Sequence, residues 1–151
     1  TVNVEMSGDP SKISTAKGNY RSFRTAFKAA TSNKVLNGWV NRHYYKNGEK
    51  MISQWIYDEN YSSWFYLDEN GEYLENTWKG DYYLEAGGYM ASGEWIYDAN
   101  YQNWFYLLGN GKFAREYWKD SYYLGQNGEL ARDTWVGNYY VDSTGKWNPE
   151  M

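Results

Sequence analysis

Aromatic side chains are the residues of this sequence most able to bind a ligand. They make up 21% of its 151 residues and include 9 Trp and 18 Tyr. Two or three aromatic faces that meet at one point form a cage for a quaternary ammonium group, because the negative ring faces attract a cation that donates no ordinary hydrogen bonds. A flat aromatic ring also stacks on the face of a sugar ring. The composition therefore favours the binding of a cation or a sugar.

The remaining reactive side chains form no catalytic or metal-binding motif. The sequence has no Cys and a single histidine, His43, which excludes thiolate sites and multi-histidine sites. Asp58 and Asn60 recur as Asp98 and Asn100, but two oxygen side chains fall short of the roughly six to eight ligands that calcium takes. Turn chemistry explains both pairs. We therefore predict no catalytic residues, no metal and no cofactor, and we expect that the protein is not an enzyme.

The aromatic residues belong to a repeat that fills most of the chain. Six Trp residues open the successive copies, and each Trp after the first lies seven residues beyond a glycine. Residues 55–94 and 95–134 align without gaps and are identical at 19 of 40 positions. Each of these segments holds a long copy of 23 residues and a short copy of 17. The six opening residues are Trp39, Trp55, Trp78, Trp95, Trp118 and Trp135.

Every copy has the residue pattern of a β-hairpin. An aromatic pair such as Phe65-Tyr66 precedes a loop that contains glycine, and aromatic side chains favour strands. Asn-Gly pairs such as Asn70-Gly71 adopt the positive φ that tight reversals require. A lone hairpin is marginally stable in water, so each hairpin has to bury one face against its neighbours. We therefore predict a mainly β fold, a solenoid of stacked β-hairpins over residues 38–151.

Residues 1–37 differ from the repeats and are predicted to form a separate helical leader. Asp9-Pro10 supplies an N-cap and a first-turn proline, and apolar residues then recur at three- and four-residue steps, so we expect a helix over about residues 10–31. The leader carries six basic and two acidic residues, whereas the rest of the chain carries nine basic and seventeen acidic ones. The basic face of the helix either packs on the acidic repeats or stays solvated in a linker. The acidic, aromatic body disfavours nucleic acid as a partner, and no apolar run reaches the ~20 residues of a membrane span.

Trp64 and Trp104 stand apart from the opening Trp residues. A Trp in a small repeat is more often a packing residue than a ligand-binding one. Strand alternation, however, places Trp64 and Tyr66 on one face and Phe65 on the other, so each face of the hairpin has its own aromatic residue. That is more aromatic surface than a thin stack of hairpins buries. The two extra Trp residues therefore favour a cage, and several cages on one chain gain affinity for a polymer by multivalency.

The repeat resembles the cell-wall-binding repeat of choline-binding proteins on pneumococcal-type surfaces. The resemblance rests on Gly38-Trp39, Tyr44-Tyr45, Asn47-Gly48 and Met51, and on Trp55, Trp64-Phe65-Tyr66-Leu67 and Gly71 with their copy at 95–111. It covers about residues 38–147, and related repeats occur in glucan-binding domains and clostridial toxin tails. It implies a secreted, non-catalytic module that attaches to the bacterial cell wall by binding choline groups of teichoic acids. The alternatives are a module that binds glucan or another polysaccharide, and a structural module whose basic helix contacts a host or other partner.

The resemblance also implies which residues form the binding sites. In the family, a choline site lies between consecutive hairpins and uses the opening Trp and the extra Trp of one repeat with a Tyr of the next. The two long copies carry this full set. The first site is Trp55, Trp64 and Tyr83, and the second is Trp95, Trp104 and Tyr123.

The short copies depart from the family pattern because they lack the extra Trp. Its place is taken by His43, Asp81, Ser121 and Asn138. A reduced site in these copies pairs an opening Trp with a Tyr of the next copy. The pairs are Trp39 with Tyr66, Trp78 with Tyr106, and Trp118 with Tyr140. Met90 either adds a soft wall beside the Trp78 copy or packs in the core.

Overall fold

The computed structural model describes residues 34–151, and this part of the chain is mainly β. Its thirteen strands form antiparallel hairpins and one sheet of three strands, which confirms the prediction of a mainly β fold built from hairpins. The helix predicted over residues 10–31 lies outside the described residues, as does most of the leader. Backbone contacts divide the described chain into two units. The first unit contains residues 34–56 and 66–74, and the second contains residues 57–65 and 75–151.

The first unit is built on the three-stranded sheet. Trp39 lies opposite Tyr44 in that sheet, and Arg42 donates a hydrogen bond to the backbone oxygen of Tyr73 at 2.8 Å. A further hairpin, β4–β5, has its open end in this unit and its turn in the second. The strands are β1 (Gly38–Val40), β2 (His43–Lys46), β3 (Glu49–Lys50), β4 (Gln54–Asp58) and β5 (Ser63–Leu67).

The second unit contains four complete hairpins, each formed by two strands that follow each other in the chain. A 3₁₀ turn at Ala86–Gly88 lies in the loop after the first of them. The hairpins are β6 (Thr77–Lys79) with β7 (Tyr82–Leu84), β8 (Glu94–Asp98) with β9 (Asn103–Leu107), β10 (Tyr117–Lys119) with β11 (Tyr122–Leu124), and β12 (Thr134–Val136) with β13 (Tyr139–Val141).

The strand register of the second unit places each of its opening Trp residues opposite the second member of the aromatic pair in its own hairpin. Trp95 lies opposite Tyr106, and their rings pack edge to face with centroids 5.2 Å apart. Because residues directly opposite in an antiparallel pair share a face, this Tyr braces the Trp from the side. The first member of the pair points to the other face. The same pairing joins Trp78 with Tyr83, Trp118 with Tyr123, and Trp135 with Tyr140.

The core of the second unit runs along the ends of the second strands. Each second strand ends in an aliphatic residue that is 0% exposed. These residues are Leu84, Leu107, Leu124 and Val141. Each forms an isolated β-bridge with the residue two positions beyond the following glycine, which folds that loop back onto the hairpin. The loops also join consecutive hairpins, since the backbone N–H of Trp147 donates to Ser121 and that of Phe113 to Asp81. Consecutive hairpins of this unit therefore meet along one edge.

Candidate ligand-binding site

Three aromatic side chains from consecutive hairpins of the second unit surround a pocket of about 390 Å³. Trp95 and Trp104 come from β8 and β9, and Tyr122 comes from the start of β11. The rings of Trp95 and Tyr122 stand nearly perpendicular, at 79°, with centroids 5.8 Å apart. Leu130 and Thr144 complete the lining, so three aromatic rings form most of the pocket wall.

Neighbouring side chains hold the two Trp rings of this pocket in place. Tyr106 packs against Trp95, and Tyr97 packs edge to face against Trp104 with centroids 5.3 Å apart. Trp104 keeps 42% of its surface exposed although it is braced on one side. A large ring that is fixed and exposed in this way is available to a ligand. The pocket can therefore hold a weakly hydrated cation against ring faces.

The structure places Tyr122 in this pocket, whereas the resemblance implied Tyr123. Tyr123 lies opposite Trp118 in its own hairpin, and the two rings are 5.1 Å apart. Tyr122 points to the other face of β11 and meets Trp95 of the preceding hairpin. Strand alternation combined with the hairpin register would have shown this, because the Tyr opposite the opening Trp has to share its face. We therefore carry Trp95, Trp104 and Tyr122 forward as the candidate site.

The same shift by one residue applies to the short copies. Trp118 meets Tyr139 at 5.9 Å rather than Tyr140, which packs on Trp135. Trp147, at 5.9 Å from Tyr139, supplies a third ring to this pocket of about 260 Å³. Trp147 was not among the site residues expected from the sequence. Its side chain is 39% exposed, so it also offers a face to a ligand.

Trp78 likewise does not meet Tyr106. Its ring lies 5.3 Å from Phe105 and 5.9 Å from Phe113, while Tyr106 braces Trp95.

The backbone N–H of Met90 donates to the backbone oxygen of Trp64, which ties the loop after β7 to β5.

The first predicted site falls across the two units. Trp55 belongs to the first unit, where its ring packs on Tyr66 at 5.4 Å. Trp64 and Tyr83 belong to the second unit, where Trp64 packs on Tyr57 at 5.3 Å and is 43% exposed. The site formed by Trp55, Trp64 and Tyr83 therefore stays a prediction.

The reduced site predicted for Trp39 and Tyr66 stays a prediction. Within the first unit, Trp39 packs on Tyr44 at 5.0 Å and on Tyr73 at 5.7 Å. Tyr66, the partner predicted for Trp39, packs on Trp55.

Asp98 connects the repeats in a way that the sequence did not reveal. As expected for a turn residue, its Oδ1 accepts a hydrogen bond from the backbone N–H of Asn100 at 2.8 Å. Its Oδ2 accepts a second one from Nε1 of Trp78 at 2.6 Å, and Asp98 is only 6% exposed. A buried carboxylate thus fixes the indole of the preceding hairpin. Asp58, the equivalent residue, makes the same turn contact with the N–H of Asn60.

The carboxyl groups of Glu85 and Glu94 form a pair in the second unit. Partial burial and a hydrogen bond with Glu94 raise the pKa of Glu85 to about 7, and the negative charge of Glu94 adds to the effect. Burial also raises the pKa of the Tyr83 hydroxyl, with the charges of Asp98 and Glu85 as further causes.

Within residues 34–151 no group of three or more acidic or histidine side chains is placed to hold a metal ion. No helix in this part of the chain has the length and apolar character needed to cross a membrane.

The fold and its aromatic pockets define a module built from β-hairpin repeats, and comparison with known proteins identifies its family. Residues 112–147 match the choline-binding repeat family. The choline-binding domain of CbpL from Streptococcus pneumoniae is 39% identical with a TM-score of 0.57, over 74% of this chain and 75% of that one. The modular autolysin LytC from the same bacterium is 42% identical with a TM-score of 0.70, over 73% of this chain and 27% of that one.

A curated relative, a putative endo-β-N-acetylglucosaminidase of Streptococcus pneumoniae, is 41% identical over 51 residues, which are 31% of this chain and 8% of that protein. The chain thus spans less than a tenth of the curated relative and less than a third of LytC. The chain belongs to the family of choline-binding proteins.

Proposed function

We propose that this chain is a non-catalytic attachment module that binds choline groups of teichoic acids at the bacterial cell surface, in aromatic cages between consecutive hairpins. The observation that carries the proposal is the pocket of Trp95, Trp104 and Tyr122, whose walls are ring faces. A quaternary ammonium needs no hydrogen-bond partner, so a pocket with this lining leaves no polar group of the ligand unsatisfied. A sugar in the same pocket would find few hydrogen-bonding side chains, because the lining contains no amide or charged side chain.

The expected affinity of one cage determines whether a single site is sufficient for attachment. Each ring contributes ~0.5–2 kcal/mol to cation binding, so three rings supply roughly 4 kcal/mol, which corresponds to a dissociation constant near the millimolar range. One cage of this strength would not retain a protein on a surface. The pocket of Trp118, Tyr139 and Trp147 offers a second cage in the same unit.

The proposal includes the arrangement of the hairpins. Within the second unit, we infer that the hairpins stack as a solenoid. Loops bind the preceding hairpin, and Trp78, Trp95 and Trp118 each meet an aromatic residue of the following one. A stack of this kind repeats its cages at a fixed spacing. Fixed spacing favours a polymer that carries many choline groups, because binding of one group raises the effective concentration of the next.

The family members found by comparison are consistent with attachment. CbpL contributes a choline-binding domain, and LytC is an autolysin of which this chain covers a minor part. We propose that this chain acts outside the cell, on the cell wall, and that any catalytic activity associated with it resides in other sequence. Residues 34–151 are assigned no catalytic role.

Tryptophan fluorescence during separate titrations with choline and with a glucan oligosaccharide tests the proposal. We expect choline to change the signal at millimolar concentration, and Trp104→Ala to weaken the response, with a similar effect of Trp64→Ala if the first predicted site forms. Trp135→Ala is the matched control, because Trp135 is 53% exposed and lines none of the described pockets. A response to the glucan alone would reject choline as the ligand. A choline response unchanged in both test variants would reject these sites but not the function.

A further inference from the structure

An arginine of the first unit lies against an aromatic ring at a repeat position where the second unit leaves the ring open. Arg42 is in the turn between β1 and β2, and the central carbon of its guanidinium group lies 4.0 Å from the centroid of the Tyr73 ring. Trp39 meets the same ring edge to face, with centroids 5.7 Å apart. The chain therefore supplies a cation of its own to this pair of rings.

Two polar contacts hold the guanidinium group of Arg42 on the Tyr73 ring. Its Nη2 donates a hydrogen bond to the backbone oxygen of Tyr73 at 2.8 Å, and its Nε lies 3.9 Å from Oε1 of Glu72. A guanidinium group is planar, so it can stack on a ring while its N–H groups make directional bonds. The arginine is thus fixed at the ring by stacking, by a hydrogen bond and by an opposite charge.

The cage of Trp118 shows what stands at the same place in another short copy. The backbone N–H of Tyr73 donates to the backbone oxygen of Arg42, and that of Trp147 makes the same bond to Ser121. Arg42 therefore corresponds to Ser121, and Tyr73 corresponds to Trp147. Ser121 lines the pocket of the Trp118 cage, and with serine at this position Trp147 stays 39% exposed.

The neighbouring charge also differs between the two copies. Glu72 forms an isolated β-bridge with His43, and Lys146 forms the same bridge with Tyr122, so Glu72 and Lys146 are equivalent. A carboxylate at this position attracts the guanidinium group of Arg42, whereas a lysine would repel it. The first copy thus carries both the cation and the partner that retains it.

We propose that Arg42 acts as a built-in ligand that closes the Trp39 copy to choline, and this rests on the proposed function, because it takes the open cages as choline sites. A guanidinium group is a weakly hydrated cation, so ring faces attract it as they attract a quaternary ammonium. Arg42 belongs to the chain, so it reaches the ring without the loss of translational freedom that binding of a free ligand costs. Arg42 therefore determines which copies of the repeat bind choline.

An NMR titration of the full chain with choline tests this role, read from the indole N–H resonances of Trp39 and Trp118. Trp39→Phe and Trp118→Phe assign the two resonances. Millimolar choline should shift the Trp118 resonance of the unchanged chain and leave that of Trp39 in place. In Arg42→Ser, both resonances should shift, with midpoints within about fivefold of each other, because the two copies then have the same side chain at this position. Lys46→Ser removes the same charge from an exposed position of the first unit and should leave Trp39 unresponsive.

The reciprocal change tests the same role in the second unit. Ser121→Arg combined with Lys146→Glu introduces a guanidinium group and its carboxylate partner into the cage of Trp118. This double variant should weaken choline binding at Trp118 at least about tenfold. Lys146→Glu alone is the matched control and should not weaken it, because a carboxylate beside the cage attracts a cation.

The outcomes separate the role of Arg42 from the function of the cages. Equal shifts of Trp39 and Trp118 in the unchanged chain would overturn the role of Arg42. An unresponsive Trp39 in Arg42→Ser would also overturn it, if Trp118 responds and the amide spectrum of the first unit is retained. Should Arg42→Ser fail to fold, undiminished choline binding by the reciprocal double variant would overturn it. An unresponsive Trp118 in the unchanged chain would overturn the proposed choline cage itself, and the role of Arg42 with it.

Discussion

Replacing Asp98 by Asn should destabilise the second unit through its contact with the neighbouring repeat. Asp98 is 6% exposed, and its Oδ2 lies 2.6 Å from Nε1 of Trp78. Asn keeps the shape of the side chain and can still accept from the N–H of Asn100. It places an amide N–H₂ group where the indole needs an acceptor, so two donors then face each other.

The structure allows the size of this effect to be estimated. The lost bond is charge-assisted and short, and hydrogen bonds to charged groups contribute about 1.5–3 kcal/mol to stability. The turn contact is retained, so we expect Asp98→Asn to lower the free energy of unfolding by about 2 kcal/mol. Asp68→Asn is the control, because within residues 34–151 the carboxylate of Asp68 accepts from the backbone N–H groups of Asn70 and Glu72 in its own turn and from no neighbouring hairpin. Its cost should stay below about 1 kcal/mol.

Urea denaturation followed by circular dichroism measures both variants, and a third variant identifies the mechanism. In a Trp78→Phe background the indole donor is absent, so Asp98→Asn should cost much less than in the original chain. Equal costs of Asp98→Asn and Asp68→Asn would refute the reasoning. An undiminished cost in the Trp78→Phe background would also refute it, because the carboxylate would then act through the turn alone.

Two further predictions concern pH and the third wall of the cage. The raised pKa of Glu85, about 7 against an ordinary 4.5, means that the folded protein favours the protonated carboxyl, so stability should fall as pH rises from about 4.5 to 7. Thermal unfolding across this range should show a decline that is reduced in Glu85→Gln, and an equal decline in both proteins would contradict the assignment. Tyr122→Ala should weaken choline binding about fivefold or more in a calorimetric titration, since it removes one ring of the cage. Tyr123→Ala should lower the stability more than the choline affinity. A larger loss of choline affinity in Tyr123→Ala than in Tyr122→Ala would instead identify Tyr123 as the third wall.

The hairpins could be predicted from the sequence because their signals are local. Strands follow from aromatic residues such as Phe105-Tyr106, and turns follow from pairs such as Asn110-Gly111, where Gly111 has a φ of +93°. The extra residue Trp104 also stood out, because a second Trp on one hairpin exceeds what packing needs. The structure places it at a pocket with Trp95.

The partners across the repeats could not be predicted from local signals. Tyr122 and Tyr123 are adjacent and chemically identical, and only the register of their strand decides which one faces the preceding hairpin. Trp147 occupies a loop position that holds Leu130 in the copy before it, so its role depends on the neighbour it meets. The bond from Trp78 to Asp98 spans 20 residues and exists because consecutive hairpins pack together. These contacts are tertiary. A pattern within one repeat can show which Tyr shares a face with the opening Trp, but not which residue of a neighbouring repeat it meets.

The most direct measurement of the central claim compares choline with its neutral isostere, in which a tert-butyl group replaces the trimethylammonium group. The two molecules have the same shape, so a difference in affinity reports the attraction between the positive charge and the ring faces. Calorimetry on the full chain should show that choline binds at least about tenfold more tightly, and that Trp104→Ala reduces this difference. Equal binding of the two molecules, or no binding of choline at millimolar concentration, would contradict the account of these pockets as cages for a quaternary ammonium.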